Sequence, residues 1–267
     1  MILAIVAAIG ITYINIKGVK AAAMLQKVLT ITIAAVGSIL VVVSAINGSP
    51  DNLQGQVLVG DSFGASLKNI MSIAVVAPFF LFGFDVIPQA AEEINVPLKK
   101  LGKLLIGSIA LAVMFYGLVV LAVGYGMSSA EIADSMSKSG LVTADAMAKL
   151  FNSQTMAKVL VIGGLCGIVT SWNSFLMGGS RVIFAMSESH MIPGMFSKVH
   201  KKHKTPINAL LLVGVLSIAS LFCGRVMLIW ISNAASFACC LAYCIVAFSF
   251  LKLRKTEPDM KLSLIHI

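Results

Sequence analysis

The chain has 267 residues, of which 58% are hydrophobic and only 12% are charged. Soluble domains carry about 25% charged residues, so this chain lacks the polar surface that a soluble protein of its size needs. Its net charge of +9 does not indicate a nucleic-acid-binding face, because the basic residues stand in short clusters between apolar segments, which is typical of membrane topology.

Hydrophobic segments of near-membrane length follow one another along the chain. They cover approximately residues 1–16, 23–46, 69–91, 103–127, 157–186, 207–223 and 226–251. Crossing the hydrocarbon core takes about 20 residues, so the pattern predicts an all-α polytopic membrane protein with about seven transmembrane helices. The first segment has no positively charged lead-in, which favours a truncated span over a signal peptide.

The third segment is interrupted in its middle. Pro78, Gly83 and Pro88 lie within it, together with the carboxylate of Asp85. Proline removes a backbone donor and clashes with the preceding turn, so this spacing predicts a broken helix. Freed backbone groups persist in a membrane only where they are buried in protein or face a watery cavity. Broken helices of this kind form the substrate sites of secondary transporters, so the segment predicts a solute carrier.

The basic residues predict the orientation. Of 20 Lys and Arg, 15 lie in alternate connections and the tail, which are therefore expected in the cytoplasm. These residues are Lys17, Lys20, Lys27, Lys99, Lys100, Lys103, Arg181, Lys198, Lys201, Lys202, Lys204, Lys252, Arg254, Lys255 and Lys261. The opposite connections hold acidic residues such as Glu131 and Asp145. The pattern therefore predicts a plasma-membrane protein whose N-terminal end in this chain lies outside the cell and whose C-terminal end lies in the cytoplasm.

The polar tail of the chain is followed by an unrelated apolar hexapeptide, residues 262–267. A common transposase-adapter sequence gives this hexapeptide when translated in one frame. We therefore interpret it as a sequencing artefact, with a genuine tail as the alternative.

Four motifs in the same order resemble the amino acid–polyamine–organocation (APC) family of permeases. Residues 17–30 are similar to the connection between that family's fourth and fifth helices, and 79–97 resemble its sixth helix and the loop after it. Residues 179–206 are similar to the end of the eighth helix and the next loop, and 254–259 to the segment after the tenth. The resemblance covers residues 10–259.

The resemblance implies a leucine-transporter-type fold of two inverted repeats, incomplete in this chain. Residues 1–261 then form one transmembrane domain that corresponds to about helices four to ten, with 1–46 ending the first repeat and 69–251 forming the second. The implied function is secondary active transport of an amino acid or related amine by alternating access. A polyamine- or ethanolamine-type exchanger of the same fold is the alternative. A receptor or a polytopic enzyme is disfavoured, the enzyme because no catalytic constellation is visible in the sequence.

The family's substrate lies between its broken first and sixth helices, so the resemblance implies that this chain holds about half of the site. The substrate-binding candidates that it implies are Phe79, Phe80, Leu81, Phe82, Gly83, Asp85 and Phe175. Phe79 matches an aromatic gate and Phe175 a second aromatic position that faces the pocket, although packing is the alternative for these side chains. Asp85 has three candidate roles: binding a cationic substrate, carrying a coupling proton, or capping the freed backbone of the second half-helix.

Hydroxyl groups of the eighth helix, on Thr170, Ser171 and Ser174, are candidates for a coupling-ion site. Hydroxyls in a span usually bond to their own helix or a neighbour instead. Many family members carry a lysine in the fifth helix that stands in for sodium, but here Ile33 takes its place. Proton symport, sodium symport and exchange therefore stay open.

The remaining expectations concern partners and the loop after the broken segment. Glu92 and Glu93, next to Lys99 and Lys100, are predicted to form gate or structural ion pairs. The expected partners are a small-molecule substrate and the lipid bilayer, without nucleic acid. No metal and no cofactor is expected apart from a coupling H⁺ or Na⁺.

Overall fold

The chain is folded into α-helices. The computed structural model describes residues 2–53, 62–89 and 97–257, and no strand occurs within these ranges. The helices are α1 (Ile2–Lys17), α2 (Val19–Asn47), α3 (Phe63–Leu81), α4 (Val86–Gln89), α5 (Leu98–Gly126), α6 (Ser129–Lys138), α7 (Val142–Phe151), α8 (Gln154–Glu188), α9 (Ile207–Ser220) and α10 (Gly224–Thr256). Short 3₁₀ turns cover Pro50–Leu53 and Gly194–Ser197. The predicted all-α class is confirmed.

Each predicted hydrophobic segment contains a helix, and several helices are of membrane length. Among the described residues, Val19–Asn47, Lys100–Gly126, Gln154–Glu188 and Trp230–Thr256 are long and apolar enough to cross a membrane. Their surfaces expose large apolar side chains such as Trp230 (69% exposed) and Phe237 (71% exposed). Soluble monomers rarely expose large apolar surfaces, whereas lipid accommodates them. The chain is a multi-pass membrane protein.

Several helices extend beyond the apolar segments that predict them. α2 begins at Val19 and α5 at Leu98, each some residues before its hydrophobic segment. Gly18 alone separates α1 from α2, with φ +128, a conformation that favours glycine. Hydrophobicity marks the part of a helix within the hydrocarbon core, while the backbone hydrogen bonds continue into the polar boundary.

The chain divides into two compact units. Unit 1 contains Met1–Ala23, Gly83–Ser108 and Asn173–Ile267, and unit 2 contains Met24–Phe82 and Ile109–Trp172. In unit 1, α1 packs closely against α9, where a Cβ at Gly214 would lie 2.7 Å from Thr12 Oγ1. The missing side chain at Gly214 therefore permits this approach of the two helices.

Unit 2 has its core where α2 and α5 meet the short helix α7. The core contains Leu40, Ala122, Val123, Met127, Ala146, Met147 and Leu150. Ser44 donates a hydrogen bond to the Ala122 carbonyl (2.6 Å), and Asn47 donates to the Leu150 carbonyl (3.1 Å). Polar side chains thus join α2 to α5 and to α7 where the apolar packing ends.

The connection that holds Glu131 and Asp145 contains two helices, α6 and α7, which the apolar pattern does not reveal. Ser128 starts α6 with a capping box, in which its hydroxyl accepts from the Glu131 N–H while the Glu131 carboxylate accepts from the Ser128 N–H. The spacing Ser-x-x-Glu is a known signal for a helix start. This signal, rather than hydrophobicity, identifies α6 in the sequence.

Candidate functional site

The predicted break in the third segment lies at Gly83. α3 ends at Leu81, Phe82 is extended with ψ 146, and Gly83 has φ +114. The chain resumes as α4 at Val86, where Pro88 falls in the first turn, a position that tolerates proline. Pro78 lies inside α3 and does not end it. The glycine, rather than the first proline, is therefore where the helix breaks.

Asp85 accepts two hydrogen bonds from residues that follow α3. Its Oδ1 accepts a hydrogen bond from the Gly83 backbone N–H (3.1 Å), and its Oδ2 accepts from Gln89 Nε2 (3.1 Å). In a continuous helix the Gly83 N–H would bond to a carbonyl four residues earlier. The carboxylate provides a substitute acceptor for a backbone donor that the break would otherwise leave unpaired. This bond differs from the predicted cap of the second half-helix, because its donor, the Gly83 N–H, lies before α4 rather than within it. The three predicted roles of Asp85 stay predictions.

α4 lies directly against α8 at Gly178, a residue that the sequence analysis did not single out. A Cβ at Gly178 would lie 2.5 Å from Gln89 Oε1 and 3.0 Å from Val86 Cγ2. Real Cβ atoms are not found that close to other atoms, so a side chain at position 178 would require Gln89 and Val86 to move. Gly178 therefore leaves the space in which the Gln89 side chain reaches Asp85.

Two predicted substrate-binding residues, Gly83 and Phe175, lie close together in unit 1. A Cβ at Gly83 would be 3.9 Å from the Phe175 ring atom Cζ, and the Phe175 side chain is half exposed. Phe84 packs against Tyr243 of α10, with ring centroids 5.4 Å apart, and Tyr243 interacts electrostatically with Asp85. The break is therefore bordered by aromatic rings from α8 and α10.

The predicted ion-site hydroxyls do not share one arrangement. Thr170 donates to the Cys166 carbonyl of its own helix (2.6 Å), as hydroxyls in spans commonly do. Ser171 is exposed, and Ser174 is half-buried. Thr170 and Ser171 belong to unit 2 and Ser174 to unit 1. Their role in ion coupling stays a prediction.

Several predicted site residues have little or no structural description. The side chains of Phe79, Phe80 and Leu81 lie outside the described part, although their backbone forms the last turn of α3. Phe82 is half-buried at the end of that helix. Glu92 and Glu93 lie outside the described residues. Substrate binding by the four apolar residues and ion pairing by the two glutamates stay predictions.

Ile33, at the position of the family's lysine, packs against α8 within unit 2. A Cβ at Gly167 would lie 2.5 Å from Ile33 Cδ1, and one at Gly163 would lie 3.0 Å from Val36. The two glycines are four residues apart and face the same helix, which is a common arrangement for close packing of membrane helices. An apolar contact thus occupies the place for which the resemblance implies an amine.

A buried pair of asparagines, which the sequence pattern does not predict, joins three helices of unit 1. Asn15 of α1 donates to Asn173 Oδ1 of α8 (2.7 Å), and Asn173 donates to the Ala22 carbonyl of α2 (3.3 Å). Both side chains are almost fully buried. Each asparagine looks unremarkable in its own apolar segment, because the partners are 158 residues apart.

A second acidic arrangement lies on α6 and α7, outside the membrane-spanning helices. Lys149 donates to Glu131 at 2.7 Å, and this contact and the Ser128 N–H lower the Glu131 pKa to about 2. Hydrogen bonds from the Ser135 and Ser139 hydroxyls lower the pKa of Asp145. Both groups are therefore carboxylates at neutral pH, and each stabilises the helix pair in its charged form.

The chain matches the family described as amino acid permease over residues 1–266. It is 30% identical over 257 residues to a branched-chain amino acid permease of Bacillus subtilis (strain 168), a match that covers 96% of this chain and 52% of that protein. It is 26% identical over 255 residues to a methylthioribose transporter of the same organism, covering 95% and 52%.

A plant protein shows a similar match. Cationic amino acid transporter 8, vacuolar, of Arabidopsis thaliana is 29% identical over 251 residues, covering 92% of this chain and 40% of that protein. The chain spans about half the length of the Bacillus relatives that it matches.

Proposed function

Because the chain belongs to the amino acid permease family, we propose that it forms part of a secondary transporter for an amino acid or a related amine. The observation that supports this most directly is the break at Gly83 in an otherwise apolar helix. Such breaks place backbone dipoles where a zwitterion can bind without many charged side chains. The proposed mechanism is alternating access across the plasma membrane.

The end of α3 offers acceptors for the amino group of a substrate. A helix that stops at Leu81 leaves the carbonyl groups of its last turn without the amide donors of a continuing helix. These carbonyls point along the helix axis, where the dipole is negative and favours a cation. We assign the substrate ammonium group to this helix end. Phe79 and Phe175 stay the proposed aromatic contacts of the substrate.

Asp85 has a positioning role in this proposal. Its two oxygens accept from Gly83 and from Gln89, and Tyr243 of α10 interacts with it electrostatically, so the carboxylate already has partners within the protein. A carboxylate that bound a cationic substrate side chain would have to exchange one of these donors. We therefore propose that Asp85 holds the break in shape and that the terminal carbonyls of α3 contact the substrate.

The placement of the chain within the transporter is also proposed. Its helices correspond to about the fourth to the tenth of the family, with 1–46 from the first repeat and 69–251 forming the second. The N-terminal end of the chain lies outside and the C-terminal end in the cytoplasm, as the distribution of basic residues predicts.

Uptake by the complete transporter that contains this sequence tests the proposal. Proteoliposomes would be offered radiolabelled branched-chain and cationic amino acids, a polyamine and methylthioribose, because the relatives' names span three of these four classes. Proton gradients, sodium gradients and preloaded substrate separate symport from exchange. We expect saturable uptake of at least one amino acid. If no gradient and no preloading drives any uptake, the proposal is wrong.

A further inference from the structure

Two segments that are far apart in the sequence meet at the end of α1 in unit 1. The buried Thr205 hydroxyl donates to the Ile16 carbonyl (3.2 Å), and His203 Nδ1 lies 3.2 Å from the Lys17 carbonyl oxygen. A carbonyl can only accept, so Nδ1 is the donor. A helix leaves its last carbonyls without amide donors. Here the loop before α9 supplies a hydroxyl and an imidazole N–H as donors instead. Residues 200–205 are called the clamp loop below.

The clamp loop is also fixed within itself. The His200 N–H donates to the Thr205 carbonyl (3.0 Å), and the Lys204 N–H donates to the His200 carbonyl (2.8 Å). His200 Nδ1 accepts from the backbone N–H groups of Lys202 and His203, both at 3.3 Å. The two histidine rings stack with centroids 5.0 Å apart. Hydrogen bonds therefore hold the backbone of the loop, and with it the Cα positions of the loop's lysines.

The clamp loop gathers lysines around the joint between α1 and α2. The cluster consists of Lys17, Lys20, Lys201, Lys202 and Lys204, and all five are exposed. Within the described part of the chain, ion pairs join Lys138 to Asp134 and Lys149 to Glu131, and none involves the cluster. Five exposed lysines thus belong to the two segments that meet at this joint, and the ion pairs of the described residues supply no carboxylate to them.

The lysine cluster lies where two apolar helices meet polar loops, a position expected at a membrane boundary. α1 ends and α9 begins beside it, and both are apolar helices. Lys17 stacks over the Tyr13 ring (4.8 Å to its centroid), and Tyr13 is 56% exposed one turn deeper along α1. Aromatic side chains of this kind commonly sit at the level of the lipid headgroups.

We propose that the lysine cluster binds the headgroup of an anionic phospholipid. Lysines near a membrane surface attract anionic lipid, each by about a fivefold increase in affinity. The cluster supplies the cations, while Tyr13 and the apolar surface of α1 supply contacts for the glycerol and acyl parts that a soluble phosphate lacks. The clamp loop keeps the two groups of lysines together, so its hydrogen bonds are part of the site.

Binding of phosphatidylglycerol to the purified protein, measured by native mass spectrometry, tests the cluster. The variant K201Q/K202Q/K204Q is expected to bind at least about tenfold more weakly. The matched control K252Q/R254Q/K255Q removes the same charge from the exposed end of α10. This control is expected to change the affinity by less than about threefold. Equal losses in both variants would show that net charge alone attracts the lipid and would overturn the proposal.

The clamp itself is tested without any change of lysine number. The variant H203A/T205V removes both bonds to the end of α1 and is expected to weaken phosphatidylglycerol binding at least threefold. Unchanged affinity in this variant would contradict a built site. Phosphatidylcholine should bind equally to the wild type and to K201Q/K202Q/K204Q. Soluble glycerol 3-phosphate at equal concentration should not compete with phosphatidylglycerol. Competition by glycerol 3-phosphate would mean a small-anion site and overturn the lipid assignment. The surface lysine variants keep the test decisive if H203A/T205V fails to fold.

Discussion

Two carboxylates of this protein are held in contrasting ways. Asp85, in the broken segment of unit 1, accepts from two neutral donors of its own segment, the Gly83 N–H and the Gln89 amide. Glu131, at the start of α6 in unit 2, accepts from its own helix cap and also from Lys149 of α7. The ion pairs described for this chain do not include Asp85.

The two carboxylates should also differ in what the loss of a partner costs, because water replaces a lost partner more easily at one site than at the other. Asp85 is half-buried within an apolar segment, so a donor there that loses its acceptor is only partly rehydrated and bears a cost of up to about 1–3 kcal/mol. The Glu131 and Lys149 side chains are 42% and 44% exposed, so water replaces a lost partner, and such pairs contribute about 0–1 kcal/mol. Substitutions at the break should therefore have larger effects on uptake and stability than substitutions on α6 and α7.

The largest effect is expected at Asp85. In the complete transporter, D85A leaves the Gly83 N–H and the Gln89 amide without their acceptor, and we expect uptake to fall roughly 5- to 100-fold. D85N keeps one oxygen for Gly83, and Gln89 can turn its amide oxygen toward the new NH₂ group, so its uptake should stay within about threefold of wild type. Initial uptake rates measure both. If D85N is as inactive as D85A, the negative charge itself acts in transport, and the positioning role is wrong.

Gly178 provides the next test of the break. G178A places a Cβ 2.5 Å from Gln89 Oε1, whereas G179A, one residue on, meets nothing closer than Val213 at 3.8 Å. The alanine would push Gln89 away from Asp85 and crowd Val86, so G178A should reduce uptake about tenfold. G179A should stay within about twofold. Similar rates for the two variants would contradict the role of Gly178 in seating α4.

The sequence predicts the break but not what holds it. Glycine between two prolines in an apolar segment identifies the interruption, because local backbone chemistry decides it. The contact of Gly178 with Gln89 depends on how α4 meets α8, and nothing in either segment encodes that distance. Nor does the pattern show that Pro78 stays within α3.

The same limit explains the other misses. The Asn15–Asn173 bond joins α1 to α8 across 158 residues, so only the tertiary fold brings the two amides together. α6 and α7 are amphipathic and short, and the search for apolar segments passes over them. The capping box at Ser128 was readable in the sequence. A helix start can therefore be predicted from a local sequence signal, whereas a polar pair between distant segments leaves no such signal in the sequence.

The pH dependence of α6 and α7 is a smaller effect. The pKa of Glu131 is lowered from about 4.5 to about 2, and that of Asp145 is also lowered. A depressed pKa gives stability that is present above the unfolded value and is lost as pH falls through the folded one. Amide exchange in α6, corrected for intrinsic rates, should show protection that is constant above pH 5 and declines from about pH 4.5 toward pH 2.

Two variants separate the contributions of these carboxylates. E131Q keeps the capping box, since glutamine serves at that position, but does not titrate, so it should flatten part of the decline. D145N should remove the remainder. Protection that falls equally in wild type and in the E131Q/D145N double variant would show that other groups cause the loss.

The smallest effects are expected from the two exposed ion pairs, which differ in geometry and in exposure. Lys149 reaches Glu131 from another helix at 2.7 Å, while Lys138 pairs with Asp134 along α6 at 2.9 Å and is 73% exposed. K138Q should cost about 0.3–0.5 kcal/mol, the range for pairs spaced four residues apart on a helix. K149Q also unties α7 from α6, so we expect up to about 1 kcal/mol. Amide exchange at low and high salt measures both, and salt should reduce each difference because exposed charges are screened. A larger loss in K138Q than in K149Q would mean that the bond between the helices does not stabilise the pair.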